Sequence, residues 1–147
     1  MSGHAVAGYS GKPVWQKLGL RAGQAVRVED APADYAGLVG LAGRELQLLG
    51  ARAGFEFAHV FASRRMRLEH LLPRLARRLP ATGTLWISWP KKTSSLASDI
   101  SEDTIREIAL PLGLVDVKVC AIDADWSALK LVWRKEHRAK MQPAPVR

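Results

Sequence analysis

A chain of 147 residues, 48% hydrophobic and 24% charged, has ordinary globular proportions and enough length for one core between a sheet and its helices, which excludes wholesale disorder and fibrous architectures. Its formal charge of +8 puts nucleic acid among the partners to weigh, its single cysteine excludes an internal disulfide, and no run approaches the roughly 20 apolar residues of a bilayer span. With no charged-then-apolar leader at the N-terminus, the expected compartment is the cytoplasm, with no membrane partner.

Residues 1–11, small and polar with several glycines, read as a flexible arm; residues 12–134 read as a single α/β domain, and residues 135–147 as a basic disordered tail. Pro13 opens a short helix that Gly19 closes. Gln24–Glu29 alternates as a first strand, and Asp34–Leu41 carries Tyr35, Leu38, Val39 and Leu41 at helical spacing. Arg44–Leu49 is a second strand. Phe55–Ala62 is a third, apolar enough for burial on both faces.

The clearest helix follows: Leu68, Leu71, Leu72, Leu75 and Leu79 form one stripe, and Arg67, Arg74, Arg77 and Arg78 lie outside it. Thr84–Trp89 is a fourth strand stopped by Pro90, with Trp86 and Trp89 facing opposite ways. Asp99 and Glu102 have capping-box spacing before a helix ending at Gly113. Leu114–Ile122 and Trp126–Trp133 read as a hairpin joined by Asp123-Ala-Asp125. Alternating strands and helices with this ending predict a three-layer, Rossmann-like, mostly parallel sheet of about six strands with a C-terminal antiparallel strand. By analogy with class I methyltransferases, the strand order is 2-1-3-4-6-5 with strand six reversed.

Charge is unevenly spread. Arg64–Lys92 carries +7 and Arg134–Arg147 carries +4, leaving the remainder at −3. Ligands of open α/β sheets bind outside the carboxyl ends of the parallel strands. There the sequence places an anion-binding candidate: Arg64, Pro90, Lys91, Lys92 and Thr93 from the third and fourth strands, with Asp125, Trp126 and Ser127 from the hairpin. The charge would come from Arg64, Lys91 and Lys92, hydroxyls from Thr93 to Ser95, and a dipole from a helix start near Asp99. Solvated loops are polar at strand ends with or without a ligand, so both readings stand.

After the first strand, Glu29-Asp-Ala-Pro-Ala-Asp34 puts three carboxylates and a proline where a nucleotide or S-adenosylmethionine enzyme needs a glycine turn, so no cofactor is expected. His4, His59, His70 and His137 are scattered without metal-ligand spacing, so no metal is expected either. His59 reads as a hydrogen-bonded core histidine, Cys120 as a small buried hydrophobe, and Asp123 and Asp125 as turn residues.

Several segments resemble a known bacterial family: Val6-Ala-Gly-Tyr-Ser-Gly-Lys-Pro, Gln16-Lys-Leu-Gly-Leu, Leu85-Trp-Ile-Ser-Trp-Pro-Lys-Lys, Arg106-Glu-Ile-Ala-Leu-Pro-Leu-Gly-Leu-Val-Asp-Val-Lys-Val-Cys-Ala-Ile-Asp and Trp126-Ser-Ala-Leu-Lys-Leu-Val. From about Val6 to Arg134 the chain is similar to the family catalogued as domain of unknown function 3052. The resemblance implies a bacterial source and no particular activity. Three functions stay open. The first is a non-catalytic binding or regulatory domain for an anionic small ligand or a partner protein. The second is nucleic-acid binding through Arg67, Arg74, Arg77, Arg78 and the tail, and the third a reduced methyltransferase-like enzyme.

Overall fold

The computed structural model describes residues 11–21, 23–41, 46–50 and 53–141. In chain order it contains α1 (Val14–Leu18), β1 (Ala25–Glu29), α2 (Tyr35–Val39), β2 (Gln47–Leu48), β3 (Phe57–Phe61), α3 (Arg65–Arg78), β4 (Thr84–Pro90), α4 (Glu102–Ala109), β5 (Leu114–Ala121), β6 (Trp126–Trp133) and α5 (Lys135–Met141). The six strands form one sheet in the order β2-β1-β3-β4-β6-β5, the expected one. β1 to β4 are mutually parallel, and β6 runs antiparallel to both β4 and β5.

Each face of the sheet carries its own apolar layer. Ala58, Val60, Leu85, Ile87, Trp89 and Leu131 meet the leucine stripe of α3 and Ile105 of α4. On the opposite face Val26, Phe57, Phe61, Trp86 and Ala128 meet Leu18, Tyr35, Leu38 and Val39 of the two short helices. Trp86 and Trp89 therefore do face opposite ways. Every residue of β3 is buried, as its composition required.

Two indoles do similar work on the two faces. Trp86 Nε1–H donates to the carbonyl of Leu18 at 2.9 Å, and Trp133 Nε1–H to that of Leu79 at 3.0 Å. Both carbonyls lie at helix C-terminal ends, where the backbone leaves acceptors without an intrahelical partner.

Four expectations change. The segment 135–141, read as the start of a disordered tail, is helical: the His137 ring stacks on Trp133 at 4.6 Å and 7°, and Met141 packs against the α3–α4 layer. Aromatic and apolar contacts order a segment whose charge suggested a solvated coil; residues 142–147 lie outside the described residues, as do residues 1–10 of the arm.

The cap of α4 is Ser101 with Thr104, not Asp99 with Glu102: Thr104 N–H donates to Ser101 Oγ at 3.3 Å, and Ser101 N–H to Thr104 Oγ1 at 3.1 Å. Pro90 ends β4 from inside it, opposite Trp126, because its carbonyl and the next residue's N–H suffice for pairing. β2 is only Gln47–Leu48; Arg44 and Glu45 of the expected strand lie outside the described residues.

Candidate functional site at the carboxyl edge

The chain reverses its direction of growth across the sheet between β1 and β3, and a crevice outside the carboxyl ends at such a switch point is the usual ligand position. Here the protein's own ion pair spans it. Arg67, from the first turn of α3, donates Nε–H to Asp30 Oδ2 at 2.9 Å, and that bond holds the guanidinium pKa above its ordinary value.

Asp30 and Asp34 both adopt φ of 57°, a region non-glycine residues seldom enter. Asp34 also accepts the Gly37 N–H at 3.0 Å, so a carboxylate already caps α2. A Cβ at position 37 would take the place of that carboxylate and push the capping group aside. The loop is thus a self-closed acidic turn, built with Asp where a phosphate-binding turn uses glycine.

Directly beneath lies a buried polar chain. Tyr35 Oη is 2.8 Å from His59 Nδ1, and His59 Nε2 is 2.7 Å from Ser88 Oγ. A neutral imidazole offers one donor and one acceptor, and the two hydroxyls complement both. Burial pushes the His59 pKa down to about 3 and raises that of Tyr35, so the group is uncharged at neutral pH. His59 is the hydrogen-bonded core residue its position suggested. It stacks on Phe61 at 4.3 Å, and Phe61 and Trp126 meet edge-to-face at 5.1 Å. The partner roles of Tyr35 and Ser88 are not among the expectations drawn from the sequence. For Ser88 the signal was there: it and His59 are polar residues in adjacent, mostly apolar strands and need partners, whereas Tyr35 comes from α2 and no strand pattern points to it.

The β4 loop and the final hairpin are tied together as one unit. Lys91 N–H donates to the Asp125 carbonyl at 2.7 Å, and Ser94 Oγ–H to Asp125 Oδ1 at 2.8 Å. Asp123 Oδ1 accepts the N–H groups of Asp125 and Trp126 at 2.8 and 2.9 Å, the turn role expected of it. Pro90, Lys91, Asp125, Trp126 and Ser127 are therefore neighbours. Thr93 lies on the exposed part of the same loop.

Arg64 and Lys92 border different recesses. Arg64 lines a groove of about 610 Å³ with Met66, Arg67, His70 and Asp99. Lys92 borders a separate depression of about 340 Å³ beside Trp89, Ile100 and Ser101. The residues expected to form one anion site thus form a rim with separate recesses. Asp99, expected to open α4, instead caps α3: its Oδ1 accepts the Arg65 N–H at 2.6 Å, and its own N–H donates to the Ser63 carbonyl at 3.1 Å. Asp99→Ala is expected to lower stability by about 1 kcal/mol, as loss of an N-cap does. Chemical denaturation measures it, and an unchanged midpoint would show the cap to be idle.

The basic residues divide into two sets. Arg65 is bonded to Glu69 and Glu107, Arg106 to Glu102, Asp103 and Asp116, and Arg78 donates to the Ala53 carbonyl. Among the described residues Arg64, Arg74, Arg77, Lys91 and Lys92 form no ion pair. Cys120 is half-buried on β5, with its pKa raised by burial against the opposing pull of Lys17 and Lys118. No cluster of three or more metal-ligating side chains occurs among the described residues, and no helix there is long and apolar enough to cross a membrane.

With this geometry the known structures can be compared. A methyltransferase dependent on S-adenosylmethionine from Aquifex aeolicus superposes with a TM-score of 0.58 at 11% identity, over 80% of this chain and 86% of that one. A protein of the NAD-binding Rossmann superfamily from Streptococcus agalactiae gives 0.52 at 8% identity, over 84% and 69%. The chain has a Rossmann-like fold. The fibrillarin pre-rRNA processing protein of Methanococcus jannaschii gives 0.52 at 12% identity, over 84% and 70%. At such identities this Rossmann-like domain shares an architecture with these proteins and no demonstrated chemistry. No family model matches the sequence, and no curated protein matches it.

Proposed function

We propose that this Rossmann-like domain is a non-catalytic binding domain that holds an anionic ligand along the carboxyl edge of its sheet. The observation that carries the reading is the set of cations on that edge without ion pairs among the described residues, Arg64, Lys91 and Lys92, beside arginines that are paired. Lys91 sits on a loop stiffened by Asp125 and Ser94, so its position is prepared before a ligand arrives. Membership of the family catalogued as domain of unknown function 3052 belongs to the same proposal; the motifs around Pro90 and Trp126 support it and lie on this edge.

Pyrophosphate tests the site. It is expected to raise the melting temperature of the wild type in proportion to the logarithm of its concentration, and the Lys91→Ala/Lys92→Ala variant is expected to lose most of that rise. An equal rise in both proteins would remove the two lysines from the site.

A second reading is nucleic-acid binding, favoured by the spread, beyond any one pocket, of cations without an ion pair among the described residues. Arg74 and Arg77 project from the exposed side of α3 with no ion pair among the described residues. A reduced methyltransferase-like enzyme agrees with the fold alone. The Asp34 carboxylate on the α2 N-terminus speaks against the familiar cofactor pose, and titration calorimetry with S-adenosylmethionine decides it.

A further inference from the structure

Met66, His70, Arg74 and Arg77 stand at positions two, six, ten and thirteen of the 14-residue α3, within one outward quarter of the helix opposite its leucine stripe. Met66 is 79% exposed, the most exposed large apolar side chain among the described residues. It shares the 610 Å³ groove with Arg64, Arg67, His70 and Asp99. The carboxylates nearby are already engaged: Asp99 on the Arg65 N–H, Glu69 on Arg65, Asp30 on Arg67. What the groove still offers is an apolar thioether, an imidazole and Arg64, which has no ion pair among the described residues. Beyond it Arg74 and Arg77 extend the row to about 20 Å from Arg64 at 1.5 Å per residue.

We propose that this groove receives one unpaired base of a single-stranded nucleic acid, the base lying against Met66 while its backbone runs along Arg64, Arg74 and Arg77. This rests on the nucleic-acid reading above and narrows it. An apolar recess at the end of a cationic row suits a chain that alternates a flat, weakly polar ring with a phosphate. In a duplex the bases are stacked and paired and cannot enter a recess on the outside of the protein without being flipped out. A small anion would need only the cations and would leave Met66 unused.

Fluorescence anisotropy of the full chain with labelled ten-nucleotide oligo(U), oligo(dT) and a ten-base-pair DNA duplex, at about 50 mM salt where phosphate contacts are strongest, tests the proposal. The single strands are expected to bind at least threefold tighter than the duplex. Met66→Ala is expected to abolish that preference while leaving duplex binding unchanged. Arg74→Ala/Arg77→Ala is expected to weaken all three ligands and lower the salt slope by about two, one for each phosphate that the variant no longer neutralises. Duplex bound as tightly as single strands, or single-strand binding indifferent to Met66→Ala, overturns the groove and leaves the nucleic-acid reading standing. No binding of any of the three overturns both. Equal use of oligo(U) and oligo(dT) indicates that the 2′-hydroxyl is not read, and an oligo(U) preference that it is; both fit the base-in-groove pose if Met66→Ala weakens them.

Discussion

Between pH 6.5 and pH 5 the domain is expected to lose stability with a slope that steepens from about 0.7 toward about 1.4 kcal/mol per pH unit, the limit set by one proton. His59 is its source. In the fold its pKa is pushed down to about 3 by burial, against an ordinary value of 6.5. Between those two values the unfolded chain binds a proton that the folded chain refuses, so stability is complete above about pH 6.5 and falls as acid favours unfolding. The imidazole is completely buried between the Tyr35 and Ser88 hydroxyls, so a second ring proton would place a charge out of reach of water and force the hydroxyl that donates to the ring to turn round. Carboxylates contribute mainly below pH 5, which keeps the upper window clean. Denaturant titrations at half-unit steps would measure the slope, and His59→Gln should flatten it even though that variant is less stable throughout. A wild-type curve already flat between pH 6.5 and 5 would mean that the imidazole accepts its proton inside the fold.

Replacing Trp86 is expected to have the largest effect of any single substitution on the α1–α2 face. Trp86→Ala should cost about 3–5 kcal/mol, the range for emptying a buried aromatic site. Trp86→Phe keeps most of the packing but strands the Leu18 carbonyl, for roughly 1–3 kcal/mol. The second variant is the more informative, because α1 has five residues and a helix that short has no stability of its own. It is fastened by the indole, by Lys17 Nζ donating to the Ala121 carbonyl at 2.8 Å and by Lys118 Nζ donating to the Lys17 carbonyl at 3.1 Å. Hydrogen exchange in Val14–Leu20 should therefore accelerate in Trp86→Phe more than exchange in α3. Equal acceleration everywhere would assign the loss to the core as a whole.

The elements that sequence periodicity identified were those whose burial is decided along the chain itself. The leucine stripe of α3, the apolar run of β3, the opposed facing of Trp86 and Trp89 and the Asp123–Asp125 turn all repeat at the period of their own helix, strand or bend, and each is found as expected. Expectations failed where a partner distant in sequence held the deciding group. Asp99 leaves its own helix for the backbone of Arg65, 34 residues earlier. Residues 135–141 became helical because Trp133 and the α3–α4 layer supply surface for His137 and Met141.

The candidate site divides along the same line. Composition and order alone determined that the protein is a Rossmann-like α/β domain, that the loop after β1 is acidic where glycines would serve a nucleotide, and that positive charge concentrates between Arg64 and Lys92. Only the tertiary structure decided which of those charges are free. Pairing depends on through-space distance: Asp30 reaches Arg67 across 37 residues and Glu107 reaches Arg65 across 42. A row of basic letters therefore says how much charge a segment carries, while the fold says which cations its own carboxylates already hold, leaving Arg64, Arg74, Arg77, Lys91 and Lys92 without an ion pair among the described residues.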